Sequence, residues 1–341
     1  MESHVSPRSK GHRVASRGAL GWTLVGALGV LAVAALFFAS QAQSEVPTVA
    51  GATYVGSAKC LECHADQAKK MESTLHGKLL GTQLAKGEVQ ARGCEGCHGP
   101  GSKHLEDAAN PANNLRFGKK SGLPAEGQNS VCLQCHARGK QMLWAGSPHE
   151  SRDLTCVTCH TIHGPASKKG QLKLVGMELY DSRGQALSQV QWNLCGQCHK
   201  VRAMQFNRYS HMPMAALGEA GTMTCTSCHN PHGSVTQGLI AANSINQSCT
   251  NCHAAKRGPF LYSHPPVLEN CLNCHMPHGS NNPSLLRMKE PRLCQSCHAG
   301  ITRHPGQTYA QQDRKVFNRS CLNCHPTIHG SNHPSGRDFT R

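Results

Sequence analysis

The sequence predicts an elongated chain, mostly irregular with short α-helices and little or no β-sheet, laid out as five tandem units. Three observations predict it. All 20 cysteines fall in ten Cys-x-x-Cys-His strings, which start at Cys60, Cys94, Cys132, Cys156, Cys195, Cys225, Cys249, Cys271, Cys294 and Cys321. The histidines outside these strings alternate in spacing, so the strings group in pairs. Beyond residue 42 no long apolar period suggests a bundle or a sheet, and 34 glycines and 18 prolines punctuate the chain every few residues.

The strings come first because they decide the chemistry. Paired cysteines at this spacing also serve disulfide frameworks and zinc ribbons, but neither needs a histidine next. With 23 histidines in 341 residues, ten such coincidences have a chance on the order of 10⁻¹², whereas this string is the attachment signature of haem c. The second cysteines are Cys63, Cys97, Cys135, Cys159, Cys198, Cys228, Cys252, Cys274, Cys297 and Cys324. Each pair is expected to hold one haem by two thioether bonds. The histidine that follows is thereby held beneath the ring as the proximal iron ligand. Those histidines are His64, His98, His136, His160, His199, His229, His253, His275, His298 and His325.

Eleven histidines remain once His4 and His12 of the N-terminal segment are set aside: His76, His104, His149, His163, His211, His232, His264, His278, His304, His329 and His333. After the third, fifth and seventh motifs the extra histidine lies 13, 12 and 11 residues beyond the proximal one. After the fourth, sixth and eighth it lies three beyond. The unit therefore carries two motifs, over Cys60–His104, Cys132–His163, Cys195–His232, Cys249–His278 and Cys294–His329, with looser end units. A histidine three residues beyond a proximal ligand cannot reach the far face of its own ring, so it is expected to bind a neighbouring haem. The expectation is exchange within each unit: His278 to the haem of His253 and His264 to that of His275. Likewise His232 is given to His199, His211 to His229, His163 to His136 and His149 to His160. At the end of the chain the spacing favours His329 over His333.

Ten proximal and at least ten distal histidines allow every iron two imidazoles and no vacant position. Full bis-histidine ligation points to electron transfer rather than an enzyme. No Cys-x-x-Cys-Lys string marks an open site of the nitrite-reductase kind.

Residues 19–39 carry no charge and follow Arg8, Lys10, Arg13 and Arg17, as in an export leader. A run of 21 apolar residues could also stay as an inner-membrane anchor. Ser40 and Ala42 suit cleavage after Ala42. The expected division is a leader over 1–42, a linker over 43–59, a decahaem domain over 60–333 and a tail over 334–341. Export places the body in the periplasm. The net charge of +16 falls to +13 without the leader. Two propionates and one ferric core per haem bring ten oxidised haems to about +3 and reduction to about −7. The basic excess thus balances cofactors, not nucleic acid. With only 15 aromatic residues in 341, the haems are expected to form the core, one for about every 30 residues. Short helices are expected over Ala58–Leu75 and Asn193–Asn207.

In motif number, in the segments ARGKQMLWAGSPHE (residues 137–150) and YSHMPM (209–214), and in the closing CLNCHPTIHGSNHPSG (321–336), the chain resembles the MtrA/DmsE/PioA-type decahaem cytochromes. The basic stretch before the apolar leader departs from that pattern and leaves cleavage open. The resemblance implies a haem wire seated in an outer-membrane β-barrel of the MtrB/PioB type, moving electrons between periplasm and exterior in iron reduction or oxidation. It also implies a periplasmic or inner-membrane cytochrome as donor or acceptor, and an extracellular multihaem cytochrome beyond the barrel. A compact chain of this length would have a radius of gyration of about 19 Å, too small to bridge a membrane of roughly 40–45 Å. The remaining alternative is a soluble periplasmic shuttle that needs no barrel.

Overall fold

A computed structural model describes residues 46–72, 74–80, 93–164, 171–173, 190–214, 223–298, 319–334 and 336. The expected leader and His304 lie outside the described residues. Among the described residues the chain forms short helices joined by irregular segments, and β-pairing is confined to isolated bridges. No helix among them is long and apolar enough to cross a membrane.

The two motifs of a unit take different local forms. The first begins on a helix: α1 (Ser57–Glu72), α2 (Ala125–His136), α3 (Val190–Gly196), α4 (Ile245–Thr250) and α5 (Arg292–Gln295). Local sequence explains the starts. Pro124 precedes α2 and Glu126 sits in its first turn; Ser244 caps α4 by accepting from the Gln247 amide. The second motif is a single turn, at Glu95–His98 and Cys156–Cys159 and as 3₁₀ turns at Cys225–Ser227, Cys271–Asn273 and Cys321–Asn323. A polar residue just before it satisfies the free amides of the last four turns: Thr155, Thr224, Asn270 and Ser320.

Both helices expected from the sequence occur, each divided. Residues expected as Ala58–Leu75 form α1 and a second helix at Leu75–Leu80, and His64 inside α1 leaves helical geometry at φ −115°, ψ 32°. Those expected as Asn193–Asn207 form α3 and Lys200–Gln205, parted at His199 with ψ 49°. In both places the backbone turns where the motif imidazole leaves it.

Only Leu115, Val131 and Trp144 are buried among the described apolar residues, so side-chain packing alone gives a thin core. Buried polar clamps do part of the work. Asn129, three residues before the third motif, donates to the Leu154 carbonyl at 2.9 Å and accepts from the Cys156 amide at 2.7 Å. Asn246, three before the seventh, donates to the carbonyls of Val267 and Leu268 and accepts from the Cys271 amide at 2.8 Å. Ser57, three before the first, accepts from the Cys94 amide at 3.1 Å. Each clamp ties the two motifs of one unit together. In the first unit Glu95 adds a buried carboxylate that accepts from the amides of Val55, Gly56 and Gly101.

Different contacts join unit to unit. Ser210 and Ser280 exchange both backbone hydrogen bonds, and so do Tyr262 and Ser331. The close approach requires glycine: a Cβ on Gly279 would stand 1.9 Å from the Gln205 carbonyl oxygen, and Gly279 has φ +141°. Gly233 meets the Leu143 carbonyl in the same way. The turns that follow His232 and His278 are thus pressed onto the preceding unit.

Candidate haem centres

Eight described motif histidines each face a second histidine. The ring centroids are separated by 6.2 Å for His64 and His104, 5.9 Å for His98 and His163, 5.8 Å for His136 and His76, and 5.9 Å for His160 and His232. The remaining pairs stand at 6.1 Å for His199 and His149, 6.0 Å for His229 and His278, 6.2 Å for His275 and His329, and 6.2 Å for His298 and His264. Direct aromatic stacking does not need so wide a gap. Metal–imidazole bonds of about 2.0–2.1 Å on either side of one ion place two centroids roughly 6 Å apart.

The pairing corrects the expected exchange within units. His278 faces His229 rather than His253, and His264 faces His298 rather than His275. His232 faces His160 rather than His199, and His163 faces His98 rather than His136. His149 faces His199 rather than His160, and His229, expected to receive His211, has His278 across from it. The rule is exchange between adjacent units. A histidine three or four residues after its motif reaches back, because its turn is docked on the preceding unit through Gly233 or Gly279. A histidine on the long spacer reaches forward. His329 follows the backward rule toward His275, while His333 donates its amide to Ser331 Oγ.

Hydrogen bonds to the other ring nitrogen fix how the imidazoles are presented. Nδ1–H of His98, His229 and His275 donates to the carbonyls of Leu115, Gly238 and Ser284, each at 2.8 Å. Nδ1–H of His149 donates to the Pro231 carbonyl at 2.7 Å, and that of His211 to Met212 at 2.9 Å. An imidazole that donates through Nδ1 keeps its Nε2 lone pair for a metal. Burial lowers the proton affinity of His98, His136, His163, His199, His232, His264 and His329, and pushes His278 down to about 4. They are therefore neutral at neutral pH, the form that binds iron.

The cysteines place the motifs in order. None of the 20 is in a disulfide. Within each unit the two leading thiols are neighbours: Cys60 and Cys94, Cys132 and Cys156, Cys195 and Cys225, Cys249 and Cys271, and Cys294 and Cys321. Between units, Cys97 neighbours Cys132, Cys159 neighbours Cys198, Cys228 neighbours Cys249, and Cys274 neighbours Cys297. Every motif is thus next to those before and after it in sequence.

The donor set fits haem c. Opposed neutral imidazoles would supply two nitrogen ligands to its iron, and the adjoining cysteine pair would supply two thiols for attachment. His104 Nδ1, His232 Nδ1, Trp144 Nε1 and Gln171 Nε2 are buried without a protein hydrogen-bond partner, and haem propionates are acceptors suited to such donors. No group of three or more His, Cys, Asp or Glu side chains that could hold a metal ion occurs among the described residues. Sequence reading missed the clamps Ser57, Asn129 and Asn246. Their common place three residues before a first motif was the available signal. It also missed Glu95 and the docking glycines that follow His232 and His278.

Comparison with known proteins agrees with this chemistry. The doubled CXXCH motif family matches residues 211–258 and 264–302, and the NrfB-like cytochrome c-type proteins match residues 94–175. The multiheme cytochrome MtrA of Shewanella baltica (strain OS185) is 38% identical over 297 residues, covering 84% of this chain and 81% of that protein.

Proposed function

Since the chain belongs to the family of the multihaem cytochrome MtrA, we propose that it is a decahaem electron conduit of the periplasm, seated in an outer-membrane β-barrel. Each of its ten Cys-x-x-Cys-His strings would tether one haem, and the facing histidines would hold its iron with two imidazole nitrogens. The forward rule leaves His211 for His253, and the count of histidines leaves His325 with His304, which lies outside the described residues. When bound, haem c supplies an iron couple that accepts and releases one electron, and bis-histidine ligation leaves it no position for a substrate.

The chain's own part is positioning. Histidines exchanged between units hold neighbouring sites in fixed register, and the clamps hold the two motifs of each unit together. The unbroken neighbour relation of the cysteines, from Cys60 beside Cys94 to Cys294 beside Cys321, is the observation that carries the reading. A catalytic protein needs one special site, whereas a conduit needs an uninterrupted series.

Segments of this composition cannot face lipid, so a path across the outer membrane requires a protein sheath. A barrel of the MtrB/PioB type supplies it, with a periplasmic or inner-membrane cytochrome on one side and an extracellular multihaem cytochrome or an iron mineral on the other. Intact mass should exceed the mature polypeptide by ten haem units, and ferric iron should be low-spin throughout. Deleting the barrel gene should abolish electron exchange with extracellular iron and leave soluble periplasmic reductions intact. Unchanged extracellular exchange would overturn the conduit in favour of a soluble shuttle.

A further inference from the structure

The paired sites are not equivalent. The imidazole planes are 12–17° apart in the pairs His64–His104, His160–His232, His229–His278, His264–His298 and His275–His329, but 58° apart in His76–His136. His76 is also held differently. Its Nδ1 lies 2.6 Å from the side-chain Oε1 of Gln171, 95 residues away in sequence, whereas Nδ1 of His98, His149, His211, His229 and His275 meets a backbone carbonyl.

Gln171 occupies a turn that recurs in the chain. In the second unit the Thr161 amide donates to the Gln171 carbonyl and the Lys173 amide to Cys159. The third unit repeats this with Asn230 to Leu239 and Ala241 to Cys228, and the fourth with Met276 to Leu285 and Arg287 to Cys274. Gln171, Leu239 and Leu285 stand at the same place, all with positive φ of 48–58°. The fold therefore accepts leucine there. Of these three, Gln171 alone carries an amide, 8% exposed and aimed at a histidine of another unit.

We propose that Gln171 is a positioning residue for the iron site of His76 and His136, setting the ring angle and donor strength of His76 and hence the reduction potential of that one site. The proposal rests on the bis-histidine reading above. An acceptor on Nδ1–H raises imidazole basicity and favours the ferric state; a charged acceptor does so more strongly. The same contact ties His76 to the turn that brackets His160, the motif histidine of the next site in the series. A setting at Gln171 is thus built into the link between the third and fourth motifs.

Ring angle supplies the readout. Parallel imidazole planes split the two iron dπ orbitals and give an ordinary rhombic low-spin signal, whereas strongly tilted planes leave them nearly degenerate and give a large-g signal. His76–His136 and His149–His199, at 58° and 66°, belong to the second class. The experiment is an electron paramagnetic resonance redox titration of the full-length holoprotein, unmodified and with Gln171→Leu or Gln171→Glu. With leucine, one large-g component should titrate at higher potential. With glutamate, the same component should titrate lower, and the rhombic signals should stay in place. Shifts of the same sign in both variants, or none, with all irons still low-spin, overturn the proposal alone. A high-spin signal in the unmodified protein overturns the paired-ligand reading and the proposal with it. Should leucine lower the haem content, the sign of the glutamate shift decides.

Discussion

The first unit and the interior units solve the same ligation problem differently. In the second unit both motif histidines are faced by histidines from outside, His136 by His76 and His160 by His232, while its own His163 and His149 go to His98 and His199. The first unit keeps one pair at home, with His104 opposite His64. An interior unit is therefore incomplete by itself, and its two sites depend on both neighbours. The first unit depends on a neighbour at one site only. Exchange makes each junction obligatory and fixes spacing along the series, whereas the first unit closes one of its sites on itself.

Removing ligands in pairs shows most directly which units share a site. His278→Ala should turn about a tenth of the iron high-spin, and so should His104→Ala, since each takes one axial ligand from one of ten sites. His229→Ala with His278→Ala should still disturb one iron, because both belong to one site. His253→Ala with His278→Ala should disturb two. Spin quantitation by electron paramagnetic resonance separates these outcomes, and the reverse result would restore exchange within units.

A second contrast concerns the junction itself. Gly279→Ala puts a Cβ against the Gln205 carbonyl at φ +141°, and backbone must move on both sides. A loss of about 3 kcal/mol or more is expected in denaturant unfolding of the holoprotein. Gly51, at φ +70° near the N-terminal end, has nothing within 4 Å of such a Cβ. Gly51→Ala should cost about 1 kcal/mol. Equal losses would mean that the junction is looser than its geometry.

Those two contrasts mark where sequence reading stopped. The strings, the two-motif unit and the scarcity of regular structure were legible, because covalent attachment imposes a fixed spacing and the spacer lengths alternate. The direction of ligand exchange was not. It depends on which surface the turns after His232 and His278 dock against, and that contact lies between residues such as Gly279 and Gln205, 74 positions apart. Gln171 was equally invisible, since its role shows only against Leu239 and Leu285 in superposable turns.

Smaller losses than at Gly279 are expected at the clamps, where the first unit and an interior unit differ again. Asn246 makes three hydrogen bonds that join α4 to the turn at Cys271. Asn246→Ala leaves the Cys271 amide and two carbonyls without this partner, and should cost about 2–3 kcal/mol. Ser57 makes the corresponding bond to the Cys94 amide with one hydroxyl. In that unit Glu95 separately gathers the amides of Val55, Gly56 and Gly101, so the segment before α1 remains held when the hydroxyl is gone. Ser57→Ala should therefore cost about 1 kcal/mol or less. Amide hydrogen exchange reads the contrast locally: Cys271 should lose more protection in Asn246→Ala than Cys94 loses in Ser57→Ala. If the order were reversed, the carboxylate of Glu95 would not be the second support of the first unit, and the end would be weaker than the interior it closes.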